Sequence, residues 1–400
     1  MIKAPVRAIL AAIDSAAVAW SDARFEPRLR ARDAVVRRTE YSAPMVEYAF
    51  DRLFGSLRRD ALAGVIEDEL GSLDVLDGFV ERSHRPRAAA LPIGRVCIVS
   101  SRTTIGVAVV PAIFALCAKC NVLIKDREDH LARAFFETLA ERLPEIADAF
   151  AARPWNGGEE AATLHGFDLV VAFGSDATLA EISSNLPYPA RMIGYGTKAS
   201  AGYVARDALT GEKAARRIAA AAARDLILYE SEGCLSLHVL FVETGGATSA
   251  LQFAELVATA MRDANAELPS AFTGASASAR RAAARDLAAF RGEHYFADAA
   301  AQYLAVLDPP RASPPLFLPR TLGIHSVDRP SEAAEYLERH GIAPEAFAIA
   351  GSRNDLRELA LRTKASRIAP FGALQAPPLG VFHGGRPRSA EFVRWVGDET

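Results

Sequence analysis

The chain has 400 residues, 50% of them hydrophobic and 24% charged, with a formal net charge of −3. That length exceeds one typical core and predicts an ordinary globular protein of two domains. The near-neutral balance leaves no electrostatic case for nucleic-acid binding, and four cysteines in so long a chain make no disulfide framework, which points to a reducing compartment and a cytoplasmic protein.

Residues 1–88 read as a helical N-terminal segment: Val6–Trp20, Glu26–Arg38, then Ser42 to about Leu73 in pieces. Val46, Tyr48, Ala49, Leu53 and Leu57 recur at helical spacing. Asp14 breaks the first apolar run, and Pro5 followed by charges suits an amphipathic surface helix better than a signal peptide. The Arg-rich piece Glu81–Arg87 reads as a loop. The longest uncharged run, Thr103–Ala118, contains Pro111 and falls short of the roughly 18–20 apolar residues of a membrane span.

From Ala88 the text alternates. Arg95–Ser100, Asn121–Lys125, Phe167–Phe173 and a stretch near Arg191–Gly194 read as strands, with helices at Gly106–Lys119, His130–Leu143, Asp176–Ile182 and Glu212–Tyr229 between and after them. A second alternating block holds strands Leu237–Val242, Tyr303–Leu307, Leu322–Val327 and Ala346–Ala350. Its helices are Ser249–Asn265, Ser276–Phe290, Ser331–His340 and Asp355–Leu361. The Gly/Pro-rich tail closes on a short helix. This alternation predicts an α/β protein of two doubly wound, parallel-sheet domains. Their expected bounds are 89–229, rejoined by 371–400, and 230–370.

The chemistry centres on Asp225–Glu243, where the tetrad Glu230-Ser231-Glu232-Gly233 leads into Cys234 and then an apolar strand. A thiol at such a junction can be exposed at one end and rigidly held, as a nucleophile requires; a small buried hydrophobe is the alternative. Gly174-Ser175, after a buried strand and opening a helix, offers backbone N–H groups to a dinucleotide phosphate, although the glycine fingerprint is absent and Asp176 is anionic beside it. Lys125 closes its strand, where it could reach a ribose or phosphate or simply stand in solvent. Gly194-Tyr195-Gly196-Thr197-Lys198 lacks the order of a phosphate loop. His383, in His383-Gly384-Gly385-Arg386, is a loop histidine able to donate a proton. Cys117-x-x-Cys120 closes an apolar helix and reads as core, and no set has zinc spacing, so no metal is expected.

Laid end to end, these pieces resemble the aldehyde dehydrogenase superfamily, and within it the LuxC-like acyl-CoA reductases, from about Pro92 to about Trp395. Pro92–Val96 looks like the first strand, Asn121–Lys125 like the crossover strand ending in a ribose-contacting lysine, and Phe173-Gly174-Ser175 like the pyrophosphate turn. Glu232-Gly233-Cys234 is similar to the nucleophile motif, and the tail Arg367–Leu379 with His383–Arg386 is the most specific match to the LuxC-like branch. The resemblance implies two Rossmann-like domains, the first binding dinucleotide and the second carrying Cys234.

It further implies NAD(P)H-dependent reduction of an acyl-CoA, a fatty acyl-CoA in the first instance, to an aldehyde through a Cys234 thioester. Glu232 or Glu230, close to the thiol in sequence, would serve as proton acceptor unless they point away. Thr103 would help stabilise the oxyanion and His383 would protonate the departing group. Lys125, Gly174, Ser175, Gly194 and Gly196 would hold the cofactor. Lys125 and Arg127 lean to NADP over NAD. A homodimer or higher homo-oligomer is implied, without nucleic acid or membrane. The chain departs from the pattern where hydrolysing members carry a glutamate base, here Gly194, and where their oxyanion asparagine falls, near Arg102-Thr103. No glutamate stands near Pro315-Leu316-Phe317 either. The first departure favours a thioester reductase. An aldehyde dehydrogenase, an acyl-phosphate reductase, or a silent acyl-binding relative serving an acyl-transferring partner are the alternatives.

Overall fold

The computed structural model describes residues 2–39, 41–83, 85–126, 131–155, 163–271 and 275–400; Arg127 and His130 lie outside them. The chain forms two compact units, one comprising Met1–Thr39, Val46–Thr197 and Pro378–Thr400, the other Glu40–Met45 and Lys198–Pro377.

In the first unit the N-terminal helices are part of the core. Helix Val6–Ser21 buries Trp20 completely, with the rings of Phe54 and Phe135 at 4.7 and 5.7 Å. Its indole N–H donates to Thr138 at 3.1 Å. Phe135 and Thr138 belong to helix Leu131–Arg142 of the α/β layer, so aromatic packing and one satisfied polar edge fasten the segment there. Arg28, 1% exposed, donates to the Trp20 carbonyl at 2.8 Å and to Glu47 and Asp51 at 2.6 Å each.

The unit's strands are β1 (Val80–Arg82), β2 (Arg85–Pro92), β3 (Arg95–Val99), β4 (Asn121–Lys125), β5 (Phe150–Arg153), β6 (Leu169–Phe173) and β7 (Arg191–Tyr195). Strands β3 to β7 make a parallel sheet in the order β5-β4-β3-β6-β7. The winding reverses between β3 and β6, and ligands of such sheets bind beyond the carboxyl ends at that switch. The segment read as an Arg-rich loop is β1 and β2. The tail closes not on a helix but on a strand, Val393–Asp398, which pairs antiparallel with β2 and sets Trp395 opposite Ala90. So Arg-, Pro- and Ala-rich a segment has little strand propensity of its own, and it is held as strand between β1 and a partner from the far end of the chain.

The second unit holds β8 (Ser200–Val204), β9 (Leu237–Glu243), β10 (His294–Ala297), β11 (Leu304–Leu307), β12 (Thr321–Val327), β13 (Phe347–Ala350) and β14 (Ile368–Ala369). They form one sheet, β10-β11-β12-β9-β8-β13-β14, in which only β10 runs antiparallel. All seven residues of the central β9 are buried, as a strand covered on both faces must be.

The division falls after Thr197, not between 229 and 230, because β8 pairs with β9 and β13. Residues 371–377 also belong here: the Phe371 ring lies over Gly202 of β8, where any Cβ would sit 2.8 Å from it. Among the described residues no helix is long and apolar enough to cross a membrane.

Candidate functional site

Helix Glu212–Ile227 ends two residues earlier than its sequence suggests. Beyond it the chain makes a left-handed turn: Tyr229, Glu230 and Ser231 all have positive φ, at 54°, 54° and 60°. Left-handed backbone costs a non-glycine residue roughly 1–2 kcal/mol, so neighbours must impose it. The Ser231 hydroxyl donates to the Leu226 carbonyl at 2.7 Å and accepts the Arg320 N–H at 2.9 Å. Glu230 and Arg320, both with fully buried side chains, pair through two bonds of 2.7 and 2.6 Å. Ser270 donates to the same carboxylate at 3.0 Å, and Arg320 also donates to Asn265. The Tyr229 N–H meets the Met45 sulfur at 3.4 Å.

This turn delivers Cys234 to the amino end of β9. Cys97, Cys117 and Cys120 are buried; Cys234 is half-buried. Its carbonyl accepts the Ser200 hydroxyl at 3.1 Å. Ser236, two residues on, is bonded by Gln375 at 2.8 Å, and Gln375 also donates to the Asp225 carbonyl at 3.2 Å. The Cys234 thiol is pushed up to about 12, chiefly by burial and next by the Glu345 carboxylate, while the backbone N–H groups of Cys234 and Leu235 favour its thiolate. Glu230 points away into its ion pair, Glu232 is exposed, and the carboxylate that acts on the sulfur is Glu345. His238 on β9 is buried and held neutral down to about pH 4 by desolvation; its ring stands edge-on to Phe317 at 5.2 Å.

In the first unit, several of the other expected residues meet at the carboxyl end of β6 and β7. The Gly174 N–H donates to the Tyr195 carbonyl at 3.2 Å, and Ser175 caps helix Asp176–Ser184 by accepting the Thr178 N–H at 3.2 Å. The Asp176 carboxylate is occupied with the Thr197 N–H at 2.9 Å, against Gly196. It therefore closes the turn after β7 instead of opposing a phosphate. Phe173, Tyr195 and His383 stack, with Tyr195 and His383 centroids 4.1 Å apart at 12°. Burial, and then Arg388, hold His383 neutral down to about pH 4, so at neutral pH it is an imidazole and not a charged acid.

Gly194 faces Leu179 and Met192, which a Cβ would meet at 3.1 and 3.4 Å, so a side chain there would need the ends of both to give way slightly. Lys125 is not in solvent but 3% exposed, its ammonium 5.0 Å above the Trp155 ring. Thr103, in the turn after β3, shares a hydrogen bond with Ser101 at 3.2 Å. Among the described residues no three His, Cys, Asp or Glu side chains are grouped to hold a metal.

Sequence reading missed Glu345, Arg320 and the Tyr195 stack. Glu345 follows a proline in a loop-like stretch, and nothing local marks it. Tyr195 lay between two glycines that drew attention to the backbone alone.

Comparison with known proteins agrees with this architecture. The chain is similar in fold to aldehyde dehydrogenase 21 from Physcomitrella patens, with TM-score 0.71 and 12% identity over 98% of this chain and 85% of that one. An NAD-dependent benzaldehyde dehydrogenase from Corynebacterium glutamicum gives 0.73 and 14% over 99% and 86%. An oxidoreductase from Marinobacter aquaeolei gives 0.74 and 12% over 98% and 86%. No curated protein matches in sequence. Residues 1–395 match the family described as acyl-CoA reductase (LuxC). With the aldehyde dehydrogenase-like fold of its two α/β units, the chain belongs to the LuxC acyl-CoA reductase family of oxidoreductases.

Proposed function

We propose that the protein reduces an acyl-CoA to the corresponding aldehyde, using NADPH in preference to NADH, with the acyl group carried on Cys234. The observation that supports this best is that Cys234 is half-buried where the other three cysteines are fully buried. It sits on a turn that buried charge and strained backbone hold still. A fixed thiol is half of an acyl-transfer site.

The sulfur attacks the thioester carbonyl carbon, a new carbon–sulfur bond forms, and coenzyme A leaves as its thiolate. The N–H groups of Cys234 and Leu235, which already favour negative charge on the sulfur, suit a neighbouring oxyanion; Thr103 is the candidate side-chain donor. One such donor is typically worth roughly 100- to 1,000-fold in rate. A nicotinamide cofactor, when bound, supplies the hydride that converts the enzyme thioester to aldehyde.

The residues at β6 and β7 suit such a group: Gly174 and Gly196 carry no side chain, Ser175 opens a helix, and Asp176 is turned to Thr197. An NAD-dependent neighbour supports the same cofactor class. Lys125 would meet the ribose or its phosphate, and His383 would act as a neutral hydrogen-bond donor. With Gly194 at the position of the hydrolytic base, the thioester is left for hydride and not for water. A homodimer or larger homo-oligomer of the chain is part of this reading.

Purified protein given acyl-CoAs of graded length with NADPH should oxidise the cofactor and gain the acyl mass on Cys234. Cys234→Ser should do neither. Turnover independent of coenzyme A would favour an aldehyde dehydrogenase or acyl-phosphate reductase, and no turnover over the whole panel would count for the silent relative.

A further inference from the structure

We propose that Glu345 is the base that takes the Cys234 proton during acyl transfer, a role for which Gly194 has no side chain. The inference rests on Cys234 being the nucleophile. Its geometry comes from the strand order β9-β8-β13. Cys234 leads into β9, Glu345 into β13, and β8 runs between them, so both side chains stand at the amino edge of the same sheet.

Ser200, first residue of β8, ties them together. Its hydroxyl donates to the Cys234 carbonyl at 3.1 Å and accepts the N–H of Ala346, next to Glu345, also at 3.1 Å. The Glu345 N–H itself donates to the Ala199 carbonyl at 2.8 Å. Strands lie about 4.8 Å apart, so β9 and β13, with β8 between them, are roughly 9.6 Å apart, a gap that a cysteine and a glutamate side chain leaning towards each other across β8 can narrow. Glu345 is only 5% exposed, and its charge reaches the sulfur. It also reaches Arg367, whose guanidinium donates to the carbonyls of Leu374 and Ala373 at 2.9 and 2.5 Å and feels Asp225 as well. Of these three charged groups, Glu345 is the one whose charge acts on the thiol.

A buried anion beside a thiol has two opposed effects. As a fixed charge it disfavours the thiolate, which lowers resting reactivity. As a base it removes the proton while the carbon–sulfur bond forms, so the thiol–carboxylate pair, with its single negative charge, never becomes two adjacent anions. In balance, the thiol proton passes to a Glu345 oxygen, sulfur bonds the acyl carbon, and the bond to coenzyme A breaks. The protonated Glu345 then neutralises the departing thiolate and returns to carboxylate. The thiol therefore stays quiet towards simple electrophiles and becomes nucleophilic when a thioester is in place.

Glu345→Gln separates the two effects. Alkylation of Cys234 by iodoacetamide, followed by mass against pH, should become several-fold faster at pH 8. Acyl-enzyme formation from acyl-CoA should fall by 100-fold or more, the usual worth of a general base. Glu345→Asp, which keeps a carboxylate, should recover part of the acyl-transfer rate, and thermal unfolding of all variants checks that they fold. Acyl transfer within twofold of the parent in Glu345→Gln, or rising in parallel with alkylation, would overturn the proposal. Full activity in Cys234→Ser would instead sink the nucleophile assignment, whatever Glu345 does.

Discussion

Removing Arg320 tests what holds the turn before Cys234. Arg320 and Glu230 are both fully buried and joined by two bonds, of 2.7 and 2.6 Å. In Arg320→Ala the Glu230 carboxylate keeps only the Ser270 hydroxyl at 3.0 Å among these partners. Breaking a buried pair from one side typically costs about 3–5 kcal/mol, because an uncompensated charge remains. For a unit of this size that is a fall in melting temperature of roughly 10 °C. The left-handed residues Tyr229, Glu230 and Ser231, each strained by roughly 1–2 kcal/mol, then lose their strongest tether. Cys234 should alkylate faster as the turn relaxes. Removing both partners at once should cost less than the sum of the single losses, by about 2 kcal/mol within the range for coupled neighbours. Single variants that each lose under about 1 kcal/mol, the range of an exposed pair, would refute the reasoning.

Gly384 has φ +58°, and a Cβ there would lie 2.9 Å from the Tyr195 ring. Gly384→Ala should therefore cost about 1–3 kcal/mol in thermal unfolding and loosen the Tyr195–His383 stack; a neutral result would mean the loop does not lie on that ring. Lys125→Met should raise the KM for NADPH about tenfold, equivalent to about 1.4 kcal/mol, with the fold intact, and an unchanged KM would remove Lys125 from the cofactor site. Stability should fall with acid between about pH 6.5 and 4. There the unfolded chain protonates His238, His325 and His383, while the folded chain, with each held near 4 by burial, does not. Asp225, raised to about 7 by burial, has the opposite sign, its contribution being lost as pH rises through 7. Three histidines less one aspartate leave two protons, or roughly 3 kcal/mol per pH unit at the steepest point, and a flat urea-midpoint profile from pH 6.5 to 4.5 would contradict this.

The parts of the molecule that could be read from sequence are those whose physics is local. The strands β3, β4, β6 and β9 are continuous apolar runs of strand length, and each formed within two residues of its expected bounds. The junction that sets Cys234 apart from three core thiols is likewise written in a polar tetrad next to an apolar run. The features that escaped depend on residues far apart in the chain. Strand β8, Ser-Ala-Gly-Tyr-Val, is fully buried, yet its small residues carry no strand signal until Phe371 closes over Gly202.

The turn before Cys234 is a sharper case, because positive φ normally announces itself as glycine. Here Tyr, Glu and Ser take that conformation, and its cause is a guanidinium contributed from the end of another loop. The same holds for Glu345. In sequence it is a glutamate in Ala-Pro-Glu-Ala, indistinguishable from a surface residue, and only the insertion of β8 between β9 and β13 brings it to the thiol edge. Motifs drew the expectation to Cys234, but strand order decides which carboxylate lies near it. That is why Glu232, two residues away in sequence, was the natural expectation, and why the exposed Glu232 and the buried Glu345 part company once the sheet is built. With glycine at position 194 and no other acceptor, a reactive thiol would need to be held well below its ordinary pKa. Here burial and a neighbouring carboxylate hold it above, and a thiol so held can attack a thioester only if something beside it accepts the proton.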